Sequence, residues 1–397
     1  MTKYTIASKC LDRAAKVLDS ATKNHDLQNV IGLVSSSKET LLSHASGASF
    51  EDSTAKINSN SIFAIASMTK LVTTIAALQL VENNQIGLLD EIESYIPELK
   101  NLNILQSIDQ GGHANYLKPE RSPLIKELIT HTSGYAYSMW NEKIFISDNL
   151  KITSSNIDYL ETPLTFEPGT RWEYGIGIDI LGILIERVTN LPLEEYFIKN
   201  IFFPLSMNDT SFSIEEGKRD RVLSMMKRDS KGLIKSDLFQ PEFNNLDSPM
   251  VHGGGGLYST VIDFAQLLRT LLNQGSFNEH QILLPETVSQ MFINQINSYQ
   301  LRPHISQMPD LTKNLDLTFG KEAEWGLGFM IHPKGTKNGR SPGSASWAGF
   351  FNTYFWLDPL QDIFGIFSTQ VLPFLDPVTF NTFQEFERAI YGIEQKV

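Results

Sequence analysis

FAIASMTKLVTTIAALQLV, residues 63–81, is the stretch on which the reading of this chain turns. Its one charge is Lys70, set in a run whose side chains leave no charged face. That is the pattern of a helix buried all round. Ser67 and Lys70 stand three residues apart, neighbours on one side of such a helix. Taking an ammonium out of water is costly without compensating partners. A serine that must lose its proton would supply a reason, and a helix N-terminus favours the negative oxygen that results.

The Ser-x-x-Lys spacing by itself discriminates little, because it recurs along the chain, at Ser35, Ser53, Ser67 and Ser224 among other places. Ser35 closes a strand pattern, Ser53 lies in a polar loop, and Ser224 lies in the charged RDRVLSMMKRDSK. Only Ser67 opens a long apolar helix. Even there, a capping serine beside a lysine that snorkels to water explains the isolated pair equally well.

Composition bounds the chemistry. With 397 residues, 41% of them apolar, the chain can bury a large core. A net charge of −12 without a Lys/Arg run argues against a nucleic-acid partner or an anionic membrane surface. Cys10 is the single cysteine, so no internal disulfide is expected, in keeping with a reducing compartment. The segment MTKYTIASKCLDRAAKVLDS lacks the apolar core of a signal peptide, and no charge-free run reaches the length of a membrane span. The expected location is cytoplasmic. Metal-ligand spacings are absent, so neither metal nor cofactor is expected.

The periodicity predicts an α+β fold. Leu11, Ala14, Ala15 and Leu18 recur at helical spacing, and NVIGLVSSSKETLLSHASG reads as two strands joined around Ser37–Glu39. Helices follow over residues 67–82, around Leu181, Leu184, Ile185 and Val188, and after Ser259 or Thr260 as caps, with Gly275 as a stop. EWGLGFMIH, SASWAGFFNTYFWLD and DIFGIFSTQV then read as an antiparallel meander, before a last helix with Phe383, Phe386 and Ile390 on one side. The economical arrangement is one antiparallel sheet built from both chain termini and flanked by the terminal helices. Residues 1–60 and 324–397 form that part, residues 61–323 an inserted mainly helical domain, and the active site lies at their interface.

No Gly-x-Ser-x-Gly stands between a strand and a helix, which argues against an α/β-hydrolase. A side-chain base remains, either Lys70 or a tyrosinate that it stabilises. Unperturbed Tyr and Lys both titrate near pH 10, so lowering either by about three units costs about 4 kcal/mol. Such a pair titrates as a unit. Tyr174 in WEYGIGID is the candidate, because Gly175 and Gly177 allow close approach; a half-buried structural tyrosine is the plainer alternative. A strand through Trp347, Ala348 and Gly349 could lie beside the serine. Its backbone N–H and that of Ser67 would make an oxyanion hole, each donor worth about 3–4 kcal/mol in rate.

Ser67-Met68-Thr69-Lys70, His131-Thr132-Ser133-Gly134, Tyr174, Gly253–Gly256 with Leu257, and Trp347-Ala348-Gly349 occur in one order. Together they resemble the serine β-lactamase-related superfamily, and within it the class C-like branch of family VIII esterases and lovastatin-type acyltransferases. The resemblance runs from about Val30 to Gln370. It implies a β-lactamase/transpeptidase-like fold and a covalent acyl-serine mechanism without a cofactor. Ser67 would be the nucleophile, Lys70 and Tyr174 would share the base and acid duties, and Phe350 or Gly349 would give the second oxyanion donor, with Trp347 beside the substrate. Tyr135, Tyr137, Trp140, His252 and Phe351 are further pocket candidates, while Glu173 and Asp179 read as solvent-facing or supporting groups. Two departures stand out: Ile176 where β-lactamases usually carry asparagine, and Trp347 where they carry lysine. Losing both argues against β-lactams and peptides and for a neutral ester or thioester. Ser147-Asp148-Asn149 resembles a class A motif but lacks its companion Lys-Thr-Gly, and is read as a turn or cap.

The expected function is therefore a serine hydrolase acting on small-molecule carboxylic esters. Acyl transfer to an alcohol is the alternative within the same chemistry, and a non-catalytic binding member of the fold the alternative outside it.

Overall fold

The computed structural model describes residues 6–49, 57–151, 159–239, 252–296, 299, 301–316 and 323–393. Helix α1 (Ser8–Lys23) buries Cys10, Ala14, Leu18 and Ala21 along one side. It leads into β1 (Asn29–Ser36) and β2 (Thr40–Gly47), paired with Leu33 opposite Ser43. Helix α2 (Thr69–Glu82) comes next and is buried from Thr69 through Leu80, which explains why its sequence shows no polar stripe. Helices α3 (Gly177–Thr189) and α4 (Val261–Leu272) follow, the latter capped by the Thr260 hydroxyl, which accepts the Asp263 N–H at 3.1 Å.

The meander is β3 (Glu324–Trp325), β4 (Met330–His332), β5 (Ser344–Gly349), β6 (Thr353–Asp358) and β7 (Ile363–Ser368), closed by α5 (Pro377–Ile390). All join one seven-stranded sheet in the order β3-β4-β5-β6-β7-β1-β2. Antiparallel pairing of β1 with β7, Ile31 opposite Ser368, fuses the two ends of the chain. This is the α+β arrangement that the periodicity predicts.

Strand alternation assigns the two faces. On β6, Tyr354 stacks on Phe383 of α5 with ring centroids 4.4 Å apart, and Trp356 meets Phe386. Phe355 between them points the other way and meets Phe264 of α4. Trp347 is paired with Phe355 and so faces the α4 side, while Ser346 and Ala348 face α5. Among the described residues, no helix is long and apolar enough to cross a membrane.

Candidate active site

Ser67 sits in a short 3-10 turn, Ala66–Met68, that runs directly into α2. The turn is fixed from behind, since the Gln370 side-chain amide accepts the Ala64 N–H at 3.0 Å and donates to the Ala64 carbonyl at 3.1 Å. Ala66 has φ 44°, a conformation that costs an L-residue energy and is held only where the surroundings impose it. Strand β5 presses on this turn: a Cβ on Gly349 would lie 2.3 Å from the Ile65 carbonyl oxygen. Only glycine permits that approach, which brings the backbone after Gly349 beside the serine.

Lys70 is 1% exposed. Its Nζ donates to the Gly254 carbonyl at 2.6 Å and to the Tyr137 phenol oxygen at 2.9 Å, and lies 3.3 Å from Ser67 Oγ. The Tyr137 hydroxyl donates in turn to Asp179 Oδ2 at 3.1 Å. Burial, and then the charge of Asp179, holds the Tyr137 phenol well above its ordinary value, so it keeps its proton. That single proton faces Asp179, so toward Lys70 the phenol oxygen can only accept. An amine with two protons satisfies Gly254 and Tyr137 and has its lone pair left for the Ser67 hydroxyl. After proton transfer, the third N–H of the ammonium occupies the same direction. The wiring accommodates both protonation states without moving a heavy atom.

Asp179 belongs to the first turn of α3 and is 3% exposed. Its other oxygen accepts the Gly254 N–H at 2.9 Å. A Cβ at Gly254 would stand 2.4 Å from Asp179 Oδ2, which accounts for glycine in a segment wedged between α2 and α3. Thr73 of α2 anchors the same segment through the Gly253 carbonyl at 2.5 Å.

Tyr174 packs beside Tyr137, ring centroids 5.4 Å apart, with its own centroid 5.0 Å from Lys70 Nζ. The Trp347 indole N–H donates to its hydroxyl at 3.3 Å, and the ring of buried His131 packs on it at 4.6 Å. Burial, then Lys70, keeps His131 well below its ordinary value and hence neutral.

The cleft in front of Ser67 encloses about 430 Å³. Tyr137, Trp140, Tyr174, His252, Phe350 and Phe351 line it with Ser67. Trp347 and Gly349 stand behind this wall, the first against Tyr174 and the second against the serine turn. Tyr135 is different: it is buried in the core at 1% exposure, its carbonyl pressed against Gly175, and it does not line the cleft. Asp179, read from sequence as solvent-facing or supporting, is buried behind the partners of Lys70 and also reaches the cleft, as do Tyr159, whose hydroxyl meets His252 Nδ1 at 2.5 Å, and Phe239. The sequence held one signal for Asp179, a carboxylate inside the buried run Ile178–Gly182. Ile176 is buried before α3, and Ser147, Asp148 and Asn149 end a helix at Glu142–Asn149. Ser53 lies outside the described residues. The bare pattern Gly-x-Ser-x-Gly does occur at Gly339–Gly343, but its Ser341 precedes a strand and its N–H is held by Asp358. Among the described residues, no cluster of His, Cys, Asp and Glu is placed to hold a metal.

Comparison with known proteins shows what the chain as a whole is similar to. Lovastatin esterase from Penicillium rubens is 30% identical over 345 residues, 82% of this chain and 84% of the esterase. Monacolin J acid methylbutanoyltransferase from Aspergillus terreus is 27% identical over 84% of this chain and 82% of its own. Unliganded simvastatin synthase from Aspergillus terreus superimposes with a TM-score of 0.81 at 24% identity, covering 98% of this chain and 100% of that one. The Beta-lactamase family model matches residues 15–389, and the chain belongs to that family.

Proposed function

We propose that the protein is a serine acyl hydrolase and acyltransferase that opens small-molecule carboxylic esters through an acyl group on Ser67. One observation carries the reading: Lys70 Nζ has two fixed acceptors and turns its remaining valence to Ser67 Oγ at 3.3 Å. In the proposed sequence, Ser67 Oγ attacks the ester carbonyl and its proton passes to Lys70. The N–H groups of Ser67 and Phe350 receive the oxyanion. The Tyr174 phenol, steadied by the Trp347 indole, protonates the departing alkoxide. Water or an alcohol then enters along the reverse path and takes the acyl group from the serine.

Support for a neutral substrate comes from the lining. Trp140, Phe239, Phe350 and Phe351 supply apolar area, and among the described residues that line the cleft there is no lysine or arginine. The names of the two relatives, one an esterase and the other an acyltransferase, favour an acyl group of a few carbons and either acceptor. A cytoplasmic setting is part of the proposal, supported by the single cysteine.

The test is intact-mass analysis during turnover of p-nitrophenyl butyrate by the wild type and by Ser67→Ala. A butyryl adduct on the wild type only is the expected result, and adding a primary alcohol should divert butyrate into the alkyl ester. Turnover by Ser67→Ala equal to wild type would overturn the assignment.

A further inference from the structure

A second cavity of about 510 Å³ lies on the opposite face of the sheet from the cleft, between β4, β5, β6, α5 and residues 333–343. Ser346 and Ala348 of β5 form part of its floor, the side chains on either side of Trp347 in sequence. Phe374, Phe380, Phe383 and Tyr354 give it an apolar wall. The mechanism uses none of these side chains.

Its charged lining has one sign in excess. Lys334, Lys337 and Arg340 line it against a single acid, Glu387. Glu387 is already committed, since it receives Arg340 Nε on one oxygen and the Asn338 amide at 2.7 Å on the other. Arg340, 8% exposed, also meets His332 Nε2 through Nη1 at 3.2 Å. Burial, and then Arg340 itself, pushes His332 down to about 3, so the imidazole is neutral and accepts from the guanidinium. A guanidinium has five N–H groups in a fixed fork, and Arg340 retains donors beyond these two contacts. A positively lined, apolar-walled cavity in a chain of net charge −12 selects for an anion with a hydrophobic body.

We propose that this cavity is a binding site for a small carboxylic acid with an apolar tail. The carboxylate would sit at Arg340 and Lys337, where a planar fork and a flexible amine can share its two oxygens. The tail would lie along Phe374, Phe380 and Phe383.

Sodium octanoate, titrated by calorimetry into the wild type, is the probe. The expected result is one site per chain, with octanol, the same tail without the charge, binding at least about tenfold more weakly. Gln384→Trp places bulk in the cavity from the half-buried face of α5, and Lys337→Glu reverses the charge at an exposed position. Each should weaken octanoate about tenfold or more while turnover of p-nitrophenyl butyrate stays at the wild-type rate, which reports intact folding. Absence of binding up to about 10 mM, a range in which even feeble specific sites show, would overturn the proposal. So would octanoate affinity unchanged in both variants, because the acid would then be seated elsewhere, for example in the cleft.

Discussion

Lys70 donates to the phenol oxygen of Tyr137 at 2.9 Å, although the two residues are far apart in the chain. Tyr137, not Tyr174, is thus the tyrosine hydrogen-bonded to the amine, while Tyr174 offers Lys70 the face of its ring and its hydroxyl to Trp347. The two phenols therefore have separate work. One fixes the amine and keeps its proton, and the other is the phenol to which the proposed mechanism gives the proton transfer.

Replacing each phenol separates these duties. Tyr174→Phe is expected to lower kcat by about 10²–10⁴-fold, the range for a lost acid–base group. Tyr137→Phe removes an acceptor from Lys70 and one of the donors to Asp179, and should cost about 10²-fold or less through misplacement. Because Tyr137 ionises only well above its ordinary value, its loss should leave the shape of the pH–rate profile below pH 10 unchanged. Steady-state kinetics on both variants across pH 6–10 decide the matter.

Asp179→Asn keeps the volume of the side chain and its bond to the Gly254 N–H. An amide N–H turned toward Tyr137 would no longer accept the phenol proton, which would then point at Lys70. The expected outcome is about 10²-fold lower kcat with KM little changed, since no substrate contact is removed. A rise in KM at constant kcat would contradict the positioning role.

Trp347→Phe preserves an aromatic ring against Tyr174 and Trp325 but deletes the indole N–H. One hydrogen bond of about 1 kcal/mol net corresponds to about a fivefold loss of turnover. A parallel thermal melt should show little change, which separates this effect from unfolding.

Acid stability should be governed partly by His332. Its ordinary value is 6.5 and the folded value about 3, so between those limits the unfolded chain binds a proton that the folded chain refuses. Stability is therefore full above about pH 6.5 and falls as the pH drops toward 3, at up to about 1.4 kcal/mol per unit. His332→Gln retains an acceptor for Arg340 and should flatten this limb of a denaturant-midpoint-against-pH curve. His131, held low for the same main reason, leaves some acid sensitivity in the variant.

The fold was legible because its signals are local. Period-two aromatics mark β5 to β7, and a charge-poor run marks α2. Within the cleft, Ser67 and Lys70 share one helix turn, and spacing alone brings them together. Tyr137 reaches Lys70 from a loop and Asp179 reaches Tyr137 from α3, a convergence set by packing and not by any period. Tyr135 and Tyr137 illustrate the limit: two residues apart in an irregular loop, one enters the core and the other the cleft. No alternation rule governs a loop, so sequence could not separate them. Asp179 was readable in principle, since a carboxylate in an apolar helix turn poses the same question as a lysine in one.

The pairing of β1 with β7 brings residues from nearly opposite ends of the chain into adjacent strands. During synthesis the hairpin of β1 and β2 emerges well before β7, with one edge of β1 waiting for a partner 337 positions further on (Ile31 to Ser368). Until β7 arrives, that edge is a template open to other chains, and the loop to be closed is long. Folding of this protein should therefore be slow, sensitive to concentration, and helped by conditions that shield Val30 to Val34 until the C-terminal strands are complete.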